Sequence, residues 1–148
     1  MHATDERQQA VDLFNRVWTL MEAPERTSEQ DDEMIHAAHA SRHHWAAVGT
    51  EANLARGEWQ VSRVYATLGR GEPAIYHAER CLAHCEANPD DIADWDLPYA
   101  YEALSRAHLT AGNQDEAERY AARARELGAR VQDEHDREHL EEDLATLP

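Results

Sequence analysis

The segment Val61-Ser62-Arg63-Val64-Tyr65-Ala66-Thr67-Leu68-Gly69 returns, in altered form, as Leu104-Ser105-Arg106-Ala107-His108-Leu109-Thr110-Ala111-Gly112. The two copies are offset by 43 residues, and the same offset carries Ala74 to Ala117, Ala78 to Ala121 and Cys81 to Ala124. In each copy a helical pattern stops at a glycine, and small residues then recur at helical spacing on the segment that follows. Small side chains let neighbouring helices approach closely, while larger ones fill the gaps. Repetition of such a unit predicts a stack of helix pairs.

Working outward, helical periodicity covers nearly the whole chain, and no segment shows the two-residue alternation of a strand. Residues 5–22 carry Val11, Phe14, Trp18 and Met21 at helical spacing, widened by Leu13, Val17 and Leu20 into a broad buried face. Pro24 and a polar run end that helix. A second runs to Gly49 from about Ser28, a good N-cap followed by acids that suit the positive end of the helix dipole. Helix pairs are then expected over 51–87 and 97–128, with Gly128 closing the latter as a glycine beyond the helix end. A last, one-sided helix over 133–146 places Leu140, Leu144 and Leu147 together. The expected fold is all-α, one domain over 1–148, with 5–49 as an N-terminal helix pair.

The repeated pattern resembles the tetratricopeptide repeat (TPR). In the second copy the resemblance is carried by Tyr101, Leu104, Ser105, His108, Gly112, Ala117, Ala121 and Ala124, with His108 where the family has an aromatic. In the first copy Glu58 falls where the family has a large aromatic, and Trp59 follows it. The family period of about 34 residues leaves about nine extra, for which the loop around Asn88 to Asp96 has room. The resemblance implies a right-handed stack, residues 5–49 as a degenerate third copy, and the final helix as a cap over the exposed face of the last repeat. It also implies a concave groove lined by the first helix of each repeat, with Arg56, Trp59 and Arg63 facing it from one copy and Tyr99, Glu102 and Arg106 from the next. Arginine and aromatic residues dominate binding hot spots. The expected partner is therefore a protein or peptide, with self-association a way to lengthen a short groove. The lysines and asparagines by which one TPR subclass holds a peptide carboxylate are missing from these positions.

Histidines form a second pattern. His36, His39 and His43 share one helical face, and His77 and His84 lie on another helix beside Cys81 and Cys85. In a repeat stack these helices are outer-layer neighbours, so the histidines together could hold a transition metal such as zinc, with hydrolytic chemistry as a further step. No His-Glu-x-x-His signature supplies a base beside them. The simpler expectation is solvated or structural histidines and a protein without cofactor. Histidines near acids, if their pKa values rise on folding, should then stabilise the chain as the pH falls toward 6.

Charge narrows the partners. The 148 residues hold 14 Lys+Arg against 30 Asp+Glu, a formal net charge of −16. Such a chain is repelled by phosphate backbones and anionic lipid, so neither nucleic acid nor membrane is expected as a partner. The amino terminus lacks the basic and apolar regions of a signal peptide, and the expected compartment is the cytoplasm. Cys81 and Cys85, one helical turn apart, are placed for free thiols and not for a disulfide. The sequence has no glycine-rich phosphate loop, no Gly-x-Ser-x-Gly elbow, and no thiol or hydroxyl paired with a base. Trp18, Trp45, Tyr65 and Tyr76 are expected to pack between helices.

Overall fold

The computed structural model describes residues 3–148. They form seven helices: α1 (Ala3–Glu22), α2 (Ser28–Val48), α3 (Glu51–Thr67), α4 (Gly71–Ala87), α5 (Asp96–Thr110), α6 (Gln114–Gly128) and α7 (Glu134–Leu144). The fold is all-α, and the helix bounds lie within one or two residues of those expected. Each helix packs on the next, and α1–α2, α3–α4 and α5–α6 are the most intimate pairs. Side-chain contacts give the direction within a pair. In α1–α2, Arg16 meets Glu33, Ser41 donates to the Ala10 carbonyl, and His44 meets Glu6, so contacts spread symmetrically from the turn as antiparallel packing requires. The odd helices also form a row of their own, with α1 on α3, α3 on α5 and α5 on α7.

The offset of 43 residues is visible atom by atom. Ser62 Oγ donates to the Ala74 carbonyl at 2.8 Å, and Ser105 Oγ to the Ala117 carbonyl at 2.7 Å. Each bond fastens the first helix of a pair to the start of the second, where a buried hydroxyl needs an acceptor. Tyr65 stacks on His77 and, at the matching positions with the residue types exchanged, His108 stacks on Tyr120. The turns match as well. Gly69 and Gly112 have φ of 76° and 85°, and the amide three residues beyond the helix end reaches back to a last-turn carbonyl in both cases, Arg70 to Tyr65 and Asn113 to His108, at 2.8 Å. This closure requires the left-handed conformation that glycine adopts without strain.

Two details of the sequence reading are corrected. The N-cap of α2 is Thr27, not Ser28: its side chain accepts from the Gln30 amide while the Gln30 side chain accepts from the Thr27 amide, a reciprocal capping box. Gly128 is the last residue of its helix and not a glycine beyond the end. It remains helical with ordinary φ, the cap is Ala129, and a Cβ at Gly128 would stand 2.8 Å from Leu140. This glycine is small so that α7 can come close.

The core runs through the stack as consecutive clusters. Val17, Leu20, Met34, Ala37, Val61 and Val64 join α1, α2 and α3, while Ala74, Ala78, Leu104 and Ala107 join α4 to α5. Ala121 and Ala124 with Leu140, Leu144 and Leu147 seat the last helix. Ala74, Ala78, Ala117, Ala121 and Ala124 are all fully buried, as the repeat spacing predicts. Replacing Ala121 by Leu should overpack this interior and lower stability by about 1–3 kcal/mol. Urea unfolding measures it, and an unchanged midpoint would contradict the close helix packing at this site.

Candidate functional site

The row of odd helices encloses a cavity of about 830 Å³. Phe14, Trp18, Met21 and Glu22 enter from α1, Arg56, Trp59 and Arg63 from α3, Trp95 and Tyr99 from the start of α5, and Asp136, His139 and Asp143 from α7. Aromatic rings dominate the surface. Trp59 is the hub, with its ring centroid 5.5 Å from Trp18 and 5.6 Å from Tyr99; Phe14 continues the chain of rings on one side and Trp95 on the other. Edge-to-face contacts of this kind hold large side chains in fixed orientations.

Beneath the rings lies a charge. Glu102 is fully buried, and its two carboxylate oxygens are both engaged: Trp59 Nε1 donates to Oε1 at 3.0 Å and Arg106 Nε to Oε2 at 2.9 Å. Arg63 adds its guanidinium at 3.6 Å. Arg106 then reaches α7 and the tail, donating to the Asp143 carbonyl and to Thr146 Oγ1. A carboxylate taken out of water must be paired, and here one group orders α3, α5 and α7 together. Burial, then the neighbouring Arg106 charge, lowers the Arg63 pKa. Tyr99 donates to Asp143 Oδ2 at 2.9 Å, and burial, followed by that carboxylate, pushes its phenol far up. At the cavity edge Arg56 makes two hydrogen bonds, 3.0 and 2.9 Å, to buried Asp96 and lies 4.2 Å over the Trp95 ring.

The structure therefore divides the expected groove residues. Arg56, Trp59, Arg63 and Tyr99 line the cavity. Glu102 and Arg106 do not; they lie behind it as its internal support, because Glu102 is enclosed and Arg106 is committed to it. Trp18, expected as packing between helices, lines the cavity, and Tyr76 is 58% exposed. Phe14, Trp95 and the α7 residues were not read as groove residues. The signal for them is the row itself: if α3 and α5 line a groove, the odd helices before and after them do too.

Among the described residues the histidines do not assemble a metal site. His39 and His77 approach to 5.3 Å between ring centroids, as outer-layer neighbours, but His39 Nε2 pairs with Tyr65 Oη at 2.8 Å and His77 Nδ1 with Glu58 Oε1 at 2.9 Å. His36 and His43 are exposed, and His84 Nδ1 is engaged with Glu51. Among the described residues no group of three or more His, Cys, Asp and Glu side chains is placed to hold a metal ion. Cys81 and Cys85 are free and buried, and hydrogen bonding with Cys85, then burial, raises the Cys81 thiol well above its usual range, leaving it in the unreactive protonated form. Among the described residues no helix is long and apolar enough to cross a membrane.

Comparison with protein-family models, with curated proteins and with solved structures finds no match to this chain.

Two outcomes follow from the buried charges. Glu102→Ala would leave Arg63 and Arg106 without their shared carboxylate, and urea unfolding should show a loss of about 3–5 kcal/mol; a loss below about 1 kcal/mol would contradict the support role. The second concerns His39, whose pKa is lowered by burial and then by His77, against the opposing pull of Glu58. A histidine depressed in the folded state stabilises the fold above its unfolded value and loses that contribution as the pH falls through about 6.5 toward the folded value. For this buried histidine the direction is opposite to the gain expected of exposed histidines near acids. Relative to His39→Gln, which can still bond Tyr65, the parent should therefore lose melting temperature between about pH 7.5 and about pH 5.5. A variant curve parallel to the parent's would contradict it.

Proposed function

We propose that this chain is a TPR-like, non-enzymatic module that binds a short segment of a partner protein in the cavity of its odd helices. The observation that carries the reading is the cavity's surface: Trp18 from α1, Trp59 from α3, and Trp95 and Tyr99 from the start of α5 converge on one concavity. Rigid aromatics in a concave, partly desolvated surface are what hot spots are made of. The supporting carboxylate fixes these groups before any partner arrives, which reduces the ordering cost of binding.

The 43-residue recurrence of serine bonds, glycine turns and stacked ring pairs supports the TPR-like reading of α3–α4 and α5–α6. By the same reading α1–α2 is a divergent first pair, and α7 covers the end of the stack, where Leu140, Leu144 and Leu147 bury the face that α6 would otherwise expose. Of the groups that line the cavity, the Tyr99 hydroxyl is committed to Asp143 and the Cys81 thiol is held protonated, which favours binding over chemistry. Its size suits a few residues of an extended or helical segment, not a long peptide.

Selection of random twelve-residue peptides on the immobilised chain tests this. Recovered peptides should quench or shift tryptophan fluorescence, and Trp18→Ala should weaken them by about 30-fold, the cost of a typical hot-spot residue. Trp18 bonds to none of the buried carboxylates, so the variant keeps the internal support. Failure to recover any peptide, or equal affinity for the variant, would contradict the reading.

A further inference from the structure

The charges around the cavity cancel in depth but not at its mouth. Arg56 and Asp96 neutralise one another through two hydrogen bonds. Arg63 and Arg106 stand against Glu102 and Asp143, a balanced group of four whose contacts run through Glu102, the Asp143 main chain and the Tyr99 hydroxyl. Besides the lining histidines His135 and His139, two carboxylates remain. Glu22, at the end of α1, and Asp136, in the first turn of α7, have side chains with no ion pair or hydrogen bond to the described residues. Glu22 is exposed and sits at the negative end of its helix dipole, which adds to its field; the positive end of α7 offsets part of the field of Asp136.

The ring surface has a matching gap. The chain's own guanidinium groups already lie over two of the rings, Arg56 over Trp95 at 4.2 Å and Arg63 over Trp59 at 6.0 Å. Trp18 and Phe14, the rings nearest along α1 to Glu22, have no cation over them among the described residues. An aromatic face beside an unpaired carboxylate attracts a guanidinium or ammonium group by two independent electrostatic terms. At longer range the net charge of −16 draws cationic partners toward the surface. An anionic segment would meet the same two carboxylates as repulsion.

We infer that the segment held in the cavity is basic as well as apolar: an arginine or lysine side chain lies over Trp18 and Phe14 beside Glu22, with an adjacent apolar side chain among Trp59, Trp95 and Tyr99. This rests on the peptide-binding reading above. Glu22 contributes more than Asp136, and both choose the partner by charge while the rings supply the apolar contact.

The test uses three peptide series of equal length with Leu, Phe or Trp at the centre, flanked by Arg, by Gln or by Glu. They are titrated on the full chain by tryptophan fluorescence at about pH 8, above the range in which a free histidine titrates. Arg-flanked peptides should bind about tenfold more tightly than Gln-flanked ones and tighter still than Glu-flanked ones. The preference should shrink in about 0.5 M NaCl. Glu22→Gln with Asp136→Asn, an exposed and a half-buried position away from the core, should remove most of the Arg preference, read as the ratio of Arg-flanked to Gln-flanked affinity. Equal binding of all three series, a preference for Glu, or an Arg preference that survives the double variant would overturn the charge assignment and leave the peptide-binding reading standing. No binding by any series, or binding unchanged by Trp18→Ala, would overturn both.

Discussion

One buried carboxylate sets the terms for the concave side of this protein. Glu102 is fully enclosed, and an enclosed charge is tolerated only if its partners meet it with good geometry. The Trp59 indole and the Arg106 guanidinium supply that geometry, and each carries the constraint outward. Trp59 is held with its rings between Trp18 and Tyr99, while Arg106 binds the last helix and the tail through Asp143 and Thr146. Three elements far apart in sequence thereby acquire one relative placement. The arginines that a sequence reading would offer to a ligand are in part consumed by this internal demand.

The even helices meet a different constraint, that of close approach. Alanines at Ala74, Ala78, Ala117, Ala121 and Ala124 and the small Gly128 keep neighbouring helices near enough for the buried Ser62 and Ser105 hydroxyls to find carbonyls across each pair. The polar contacts between α2, α3 and α4 follow the same logic. Glu58 is buried between the two neighbouring helices, and its burial, which works against ionisation, is outweighed by the bond and charge of His77 and the nearby Arg42, so its pKa falls. His39, Tyr65 and His77 complete that layer by stacking and hydrogen bonding.

The parts of this arrangement that depend on local or periodic signals were legible in the sequence. Helix bounds follow from caps, glycines and spacing, and the 43-residue offset located the matching serines, alanines and turns. Four cavity-lining residues, Arg56, Trp59, Arg63 and Tyr99, were reached through the groove that the TPR resemblance implies. What the sequence did not reveal is what depends on three-dimensional neighbours. Nothing local distinguishes Glu102, enclosed between arginines, from Glu138 or Glu141 on a solvated face. Trp18 and Phe14 share an apolar stripe with Val17 and Leu20, and only the placement of α3 decides that the former border a cavity and the latter are core. The histidine spacing was compatible with a metal until the ring nitrogens of His39 and His77 were seen to be committed to Tyr65 and Glu58.

The central claim is that a partner segment lies among the odd helices, and the four tryptophans are well placed to report on it. Trp18, Trp59 and Trp95 line the cavity, whereas Trp45 is buried on α2 under Arg7. The most direct measurement is a titration of the four indole N–H resonances with a peptide selected on the chain. Shifts at Trp18, Trp59 and Trp95 with Trp45 unmoved are the result expected. Binding that moves Trp45 and leaves the three cavity tryptophans in place would contradict it.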